Sequence, residues 1–519
     1  MNFFFMTLSL FSFISCPVFP YSADEAVIHG EAQNNREQSI RIDDFKAPFD
    51  GKGTFAFKTV IDAPKTFLLQ YGEFQFELFL EPGSKVMLRF DTNDIAKSME
   101  FEGYSPDTQY YLLNTNALNK KFRNCFSTDS QEWQEWFSRD EPAFLEKRHE
   151  LKSRFQSPLD ELRRQGEHVN AGFLFKQQKS LDFAFDWLLL QYPHYHKQFT
   201  GVKKAFSTEA AELISQIKLD NPRFIGVDGY VRLGKALLHG PIREEFHADP
   251  ALKKQDNQWL RASFRLVDRT FKAQPLIDFW RFTFLKDHID NFGPKNMAPL
   301  VDRFNRACVS DDLKRELNDL YQKSLAAREG HWVRTYKTVD GFSLDVHLFI
   351  PKDIEKGEKR PVFVHFHGGS WSEGKPDWNF GVSKLGFVNA CVEYRVYDRH
   401  RALPFQQIAD AKSAIRFLRR HADEFNIDGK RIIASGDSAG GHLALCTALL
   451  HGFEEPGEPK EISSIPNALI LNSAVFKVEK GVWFDDLVDD PRRLSEISPL
   501  EHISAGLPPM LLFHGTDDS

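Results

Sequence analysis

The sequence predicts a multidomain protein with three parts. These are a small β-rich N-terminal domain, an α-helical middle region, and a C-terminal α/β segment whose mostly parallel sheet carries helices on both faces. Three observations predict it. Residues 24–103 alternate apolar and polar side chains with the period of two that a strand with one wet face requires. Residues 104–330 are sparse in glycine and carry Leu and Phe at three- and four-residue spacing, the mark of amphipathic helices. From residue 331, short apolar runs alternate with turn signals and helix-length connections, which is how a parallel sheet reads.

Residues 1–23 precede these parts. An apolar run from Phe3 to Ile14 has the length of a signal-peptide core and is too short to cross a bilayer. It predicts export to the periplasm, the cell envelope or the extracellular space. The leader ends by cleavage near Ala23 or by lipidation of Cys16 in the sequence Ile14-Ser15-Cys16, which would tie the chain to a membrane through that lipid alone.

In residues 24–103, Phe74, Phe76, Leu78 and Leu80 alternate with Gln75, Glu77 and Glu81. Pro82-Gly83 breaks the run and Val86, Leu88 and Phe90 resume it, which predicts a hairpin. The stretches "FLEPGSKVMLRFD" and "FEGYSPDTQYYL" resemble the N-terminal β-domain of exported bacterial thioredoxin-like lipoproteins. That resemblance implies an envelope address. In residues 104–330, "EPAFLEKRHELKSRFQSPLDELRRQ" and "LKRELNDLYQKSLAAR" read as helices. His194 and His196 lack a third ligand at metal-binding spacing, so no metal is predicted. The five cysteines form no Cys-x-x-Cys pair, which argues against a redox dithiol and a zinc ribbon. A net charge of −7 without a long basic run argues against nucleic acid as a partner.

The chemistry lies in residues 331–519. Gly436-Asp437-Ser438-Ala439-Gly440-Gly441 contains Gly-x-Ser-x-Gly, a motif that by itself is not specific. Here a β-rich run, Arg431 to Ser435, precedes it and a helix-forming run, Gly441 to Leu450, follows. Strand, tight turn and helix make a nucleophile elbow, with Ser438 as the nucleophile. Upstream, His367-Gly368-Gly369-Ser370-Trp371 follows the apolar run Val362 to Phe366. Small residues there free backbone N–H groups to meet a carbonyl oxygen, so Gly368, Gly369 and Ala439 are the predicted oxyanion donors. Trp371 is expected to touch the substrate.

These pieces, with Tyr394-Arg395, "AIRFLRRHADEFNID", "SPLEHI" and "PPMLLFHGTDD", resemble an α/β-hydrolase of the esterase/lipase group that includes hormone-sensitive-lipase-like and acetyl- or feruloyl-esterase-like enzymes. One departure is Ser370, which stands where many relatives carry a third glycine; a mildly reshaped loop is expected. The resemblance implies a triad in the order Ser, Asp or Glu, His. Its acid follows the seventh strand in a His-Gly-x-x-Asp pattern, here His514-Gly515-Thr516-Asp517-Asp518, so Asp518 is the implied acid and Asp517 the lesser candidate. None of the 18 histidines follows Asp518, so the segment reads as C-terminally incomplete, lacking the last strand and helix.

The implied function is a serine carboxylic-ester hydrolase, working through an acyl-enzyme on short-chain or polysaccharide-linked acyl esters without a cofactor. Two alternatives stand beside it. One is a serine peptidase of the prolyl-oligopeptidase type, although no blade-like repeat precedes the segment. The other is a non-catalytic envelope or binding protein, for which the missing histidine speaks. The sequence leaves the oligomeric state open.

Overall fold

The computed structural model describes residues 24–125, 130–252, 255–326, 331–355, 357–376, 381–479, 484–488, 490 and 492–515. The leader with Cys16, and both Asp517 and Asp518, lie outside them. Contacts divide the chain into two compact units that meet at Ala236 and Leu237, within the helix Tyr230–Ala248.

The first unit begins with eight strands: β1 (Asp24–Gln33), β2 (Ser39–Ile42), β3 (Phe45–Pro48), β4 (Thr54–Ile61), β5 (Lys65–Tyr71), β6 (Phe74–Leu80), β7 (Lys85–Asp91) and β8 (Glu100–Gly103). They form two four-stranded sheets in the orders β4-β1-β7-β8 and β3-β2-β5-β6. Inward residues of both sheets, among them Ile28, Leu69, Leu78 and Leu88, share one core.

The expected hairpin across Pro82-Gly83 does not form. β6 pairs with β5, while β7 pairs with β1 and β8, so this turn carries the chain from one sheet to the other. Alternation cannot distinguish the two outcomes, because both strands bury one face in the same core. The hairpin is β5–β6, closed by Gly72-Glu73 between the paired Tyr71 and Phe74, with Gly72 at φ 56°. β6 also departs from a single wet face at Phe79. Its ring lies 4.7 Å from Phe173, and the Gln109 amide bonds both its N–H and its carbonyl.

The helices Glu141–Gln165 and Ala171–Thr200 follow in this unit. Arg148–Asp186 and Lys152–Asp182 ion pairs join them. His196 is buried with Nδ1 2.9 Å from the Phe137 carbonyl, a helix-packing position. No described helix is long and apolar enough to cross a membrane.

The second unit adds helices Gln258–Thr270, Gln274–Phe292, Ala298–Ala307 and Asp311–Ala326, then a seven-stranded sheet. Its strands are β9 (His331–Val339), β10 (Phe342–Phe349), β11 (Arg360–Phe366), β12 (Val388–Val392), β13 (Ile427–Asp437), β14 (Ala468–Asn472) and β15 (Met510–Phe513). The order is β15-β14-β13-β11-β12-β10-β9. Every pair from β12 to β15 is parallel, and β10 and β9 join antiparallel at the far edge. The helices Pro404–Arg420 and Ala439–Leu449 pack on the sheet and on each other, around a core that includes Val364, Val392, Ile415, Leu443 and Leu471. At the β15 edge, Leu511, Leu512 and Phe513 are each about half exposed.

Cys308, Cys391 and Cys446 are buried free thiols.

Candidate functional site

Register places the site. Phe366, the last residue of β11, pairs with Gly436 of β13, and Asp437 pairs with Asn472 at the end of β14. The loops that follow β11 and β13 therefore leave neighbouring parallel strands at the same carboxyl edge, where open α/β sheets bind ligands. Asn472 also pairs with Phe513, so the turn beginning at His514 leaves that edge two strands from Ser438.

Ser438 stands between β13 and the helix Ala439–Leu449 at φ 50°, ψ −118°. A residue with a Cβ rarely adopts this conformation, and surrounding structure must hold it there. The neighbouring glycines show how. A Cβ on Gly440 would lie 2.0 Å from the Phe366 carbonyl oxygen, and one on Gly436 would lie 2.3 Å from the Gly440 carbonyl carbon. A Cβ on Gly441 would lie 2.7 Å from that of Ala474. Backbone thus fills the space that side chains would need. The Ser438 N–H donates to the Asn472 carbonyl at 3.0 Å, which ties the turn to β14. Ser438 is half-buried at the N-terminus of an eleven-residue helix, whose partial positive charge favours developing anions. Gly440→Ala is therefore expected to destabilise the second unit by about 3 kcal/mol or more, because rigid backbone on both sides cannot yield. Urea unfolding measures this.

Gly368 comes against the elbow: a Cβ there would lie 3.2 Å from the Asp437 carbonyl oxygen and 3.8 Å from Ser438 Cβ. Among the described residues, the backbone N–H groups of Gly368, Gly369 and Ala439 have no protein acceptor. Of the three predicted donors, Gly368 lies against the elbow and Ala439 follows Ser438 in the chain. Gly369, Ser370 and Trp371 have φ values of 121°, 51° and 60°. At Ser370, serine holds a left-handed conformation that glycine adopts without strain.

Trp371 differs from its expected role. It is only 5% exposed, and its indole meets His442 and Phe484 edge-on at 5.2 Å and 5.4 Å. Its side chain braces the loop from below and presents no open face to a substrate. The surface pattern of sequence could not show this, since an indole after a glycine turn fits either place.

Two histidines that sequence places beside the site are committed elsewhere. His367 stacks on Tyr394 at 4.2 Å, its Nδ1–H donates to the Gly368 carbonyl at 2.7 Å, and the Tyr394 hydroxyl donates to the His367 carbonyl. Arg395, next in the chain, pairs with the buried Asp410, which also bonds Lys337, so the Tyr-Arg motif anchors the strand end beside the loop. His442 Nε2–H donates to the Ile497 carbonyl at 2.7 Å, leaving Nδ1 to accept the Trp371 indole N–H at 3.2 Å. No described histidine bonds Ser438 Oγ.

Burial pushes the His367 imidazole down to about 3 and that of His442 down to about 4. Both values lie below the ordinary histidine value of about 6.5, so the unfolded chain binds protons that the folded one excludes. Stability should therefore fall as pH drops from about 6.5 towards about 4, by on the order of several kcal/mol for the pair. Urea unfolding across that range tests it, and His442→Asn should flatten the slope.

Among the described residues, no group of three or more His, Cys, Asp or Glu side chains is placed to hold a metal ion. Asp518 and Asp517, the predicted acids, lie outside the described residues.

Residues 344–519 match the BD-FAE family. A protein of Arabidopsis thaliana named "Probable isoprenylcysteine alpha-carbonyl methylesterase ICMEL1" is 32% identical over 33% of this chain and 40% of its own length. An arylesterase of Saccharolobus solfataricus is 27% identical over 34% of this chain and 58% of its own. The solved structure of Thermogutta terrifontis esterase 2, phosphoramylated by tabun, is 39% identical over 36% of this chain and 72% of that one, with a TM-score of 0.34. The chain spans 40%, 45% and 43% of the length of the first three curated relatives it matches.

Proposed function

Residues 344–519 being an α/β-hydrolase segment of the esterase/lipase type, we propose that this protein is a serine carboxylic-ester hydrolase with Ser438 as nucleophile. One observation carries the proposal: Ser438 is held at φ 50°, ψ −118° beside Gly368, whose N–H, like that of Gly369, has no acceptor among the described residues.

The chemistry follows from that geometry. Ser438 Oγ adds to the ester carbonyl carbon as a base takes its proton, and the carbonyl oxygen gains the negative charge. The N–H groups of Gly368, Gly369 and Ala439 meet that charge, together with the helix N-terminus. The tetrahedral species expels the alcohol, which takes up the proton, and leaves an acyl group on Ser438. Water then attacks the acyl carbon and restores the serine. In this reading Asp518 orients the imidazole that serves as base. His367 and His442 are unsuited to that part, because both are buried, His367 Nδ1 bonds the Gly368 carbonyl, and both His442 nitrogens are bonded, to the Ile497 carbonyl and the Trp371 indole.

The substrate class is a small-molecule carboxylic ester. Acetyl and other short acyl chains are the expected ones, from the resemblance to acetyl esterases. The purified full-length protein, with the histidine that the Ser, Asp, His order implies, should hydrolyse p-nitrophenyl acetate faster than longer-chain p-nitrophenyl esters. No turnover of any member of the series would refute the reading. The apolar run at Phe3 to Ile14 supports export, which fractionation of expressing cells tests directly.

A further inference from the structure

The route from Trp371 to Ile497 has no part in the chemistry above, yet it is a buried polar connection next to the site. Trp371 lies two residues beyond Gly369, and its φ of 60° ends three consecutive residues with positive φ. Such a run relaxes unless several contacts over-determine it. The Trp371 carbonyl is held by the Gln407 amide at 2.7 Å and the Tyr397 N–H at 3.1 Å. Its side chain is held by one polar contact, the indole N–H on His442 Nδ1 at 3.2 Å.

The His442 ring has one arrangement that satisfies both neighbours. The Ile497 carbonyl can only accept, so Nε2 carries the hydrogen and Nδ1 keeps its lone pair for the indole. His442 is 0% exposed, so water cannot replace either partner. Its backbone belongs to the helix that Ser438 caps, and its N–H donates to the Ser438 carbonyl at 3.0 Å. One imidazole therefore joins the nucleophile's helix, the loop of N–H donors, and the segment at Ile497 between β14 and β15.

We infer that His442 is a positioning residue for the oxyanion loop, acting through the Trp371 indole to keep the Gly368 and Gly369 N–H groups aimed at the carbonyl oxygen beside Ser438. The consequence for the reaction rests on the esterase reading; the restraint on the loop does not. A positioning role predicts a loss in kcat with little change in KM, since donor aim matters most when the oxygen carries charge.

The test uses the full chain and three variants. Trp371→Phe removes the indole donor and keeps a ring in the pocket. His442→Leu removes both contacts, and His442→Asn keeps an amide oxygen near the Nδ1 position. Each is assayed with p-nitrophenyl acetate and by hydrogen–deuterium exchange of the peptide covering 367–374. Trp371→Phe and His442→Leu should lower kcat about tenfold, equal to about 1.4 kcal/mol, with KM changed less than about twofold. His442→Asn should recover kcat to within about threefold of wild type, and loop exchange should rise in the first two variants alone. Unchanged exchange and kcat in Trp371→Phe would overturn the inference, even if His442→Leu failed to fold. A wild-type chain without esterase activity would refute the proposed function instead, while loop exchange in Trp371→Phe would still decide the relay.

Discussion

Ser438→Ala is expected to lower kcat for aryl-ester hydrolysis by a factor of about 10⁶, leaving activity indistinguishable from the uncatalysed rate. The alanine removes the atom that forms the acyl bond. The Gly368, Gly369 and Ala439 donors would remain in place around an empty position. Because the conformation at φ 50° is set by the Gly436, Gly440 and Gly441 contacts and by the Asn472 carbonyl, the variant should fold as the wild type does. Its thermal midpoint should shift little, which separates chemical loss from structural loss. A variant retaining more than about one per cent of wild-type kcat would mean that another group performs the attack.

Asp518→Asn should have the next largest effect, about 10⁴ in kcat, because an amide orients the imidazole in the wrong tautomer and cannot stabilise its charged form. The turn that begins at His514 leaves β15 beside Asn472, and Asn472 in turn pairs with Asp437, which immediately precedes Ser438. Asp517→Asn should cost less than about tenfold, since Asp518 is the residue that the His-Gly-x-x-Asp pattern selects. Steady-state kinetics of the two variants decide the assignment. A reversed ranking would move the acid by one residue, and equal small losses would remove both from the reaction.

The sequence was most informative where local pattern and chemistry coincide. Gly436 to Gly441, set between a β-rich run and a helix-forming run, marked the elbow, and the close approaches at Gly436, Gly440 and Gly441 give the physical reason. The close approach of the loop to the elbow at Gly368 has the same cause, a position without a side chain. Long-range pairing was not legible. The turn at Pro82-Gly83 reads as a hairpin in sequence, yet it crosses between sheets, because pairing depends on where the other strands lie. β9 was missed altogether: "HWVRTYKTV" is a half-exposed edge strand, and its charged residues blur the alternation. Trp371 carried no signal of direction. Whether an indole faces a cleft or a core is decided by His442 and Phe484, which lie 71 and 113 residues further along the chain.

The central claim is that Ser438 is an activated nucleophile within an oxyanion site. Its most direct test is reaction of the purified full-length protein with a fluorophosphonate, followed by digestion and mass spectrometry of the peptides. The account predicts one adduct, on the peptide carrying Ser438, formed at a rate that falls when p-nitrophenyl acetate competes. An unmodified Ser438, or an adduct on any other serine, would contradict it.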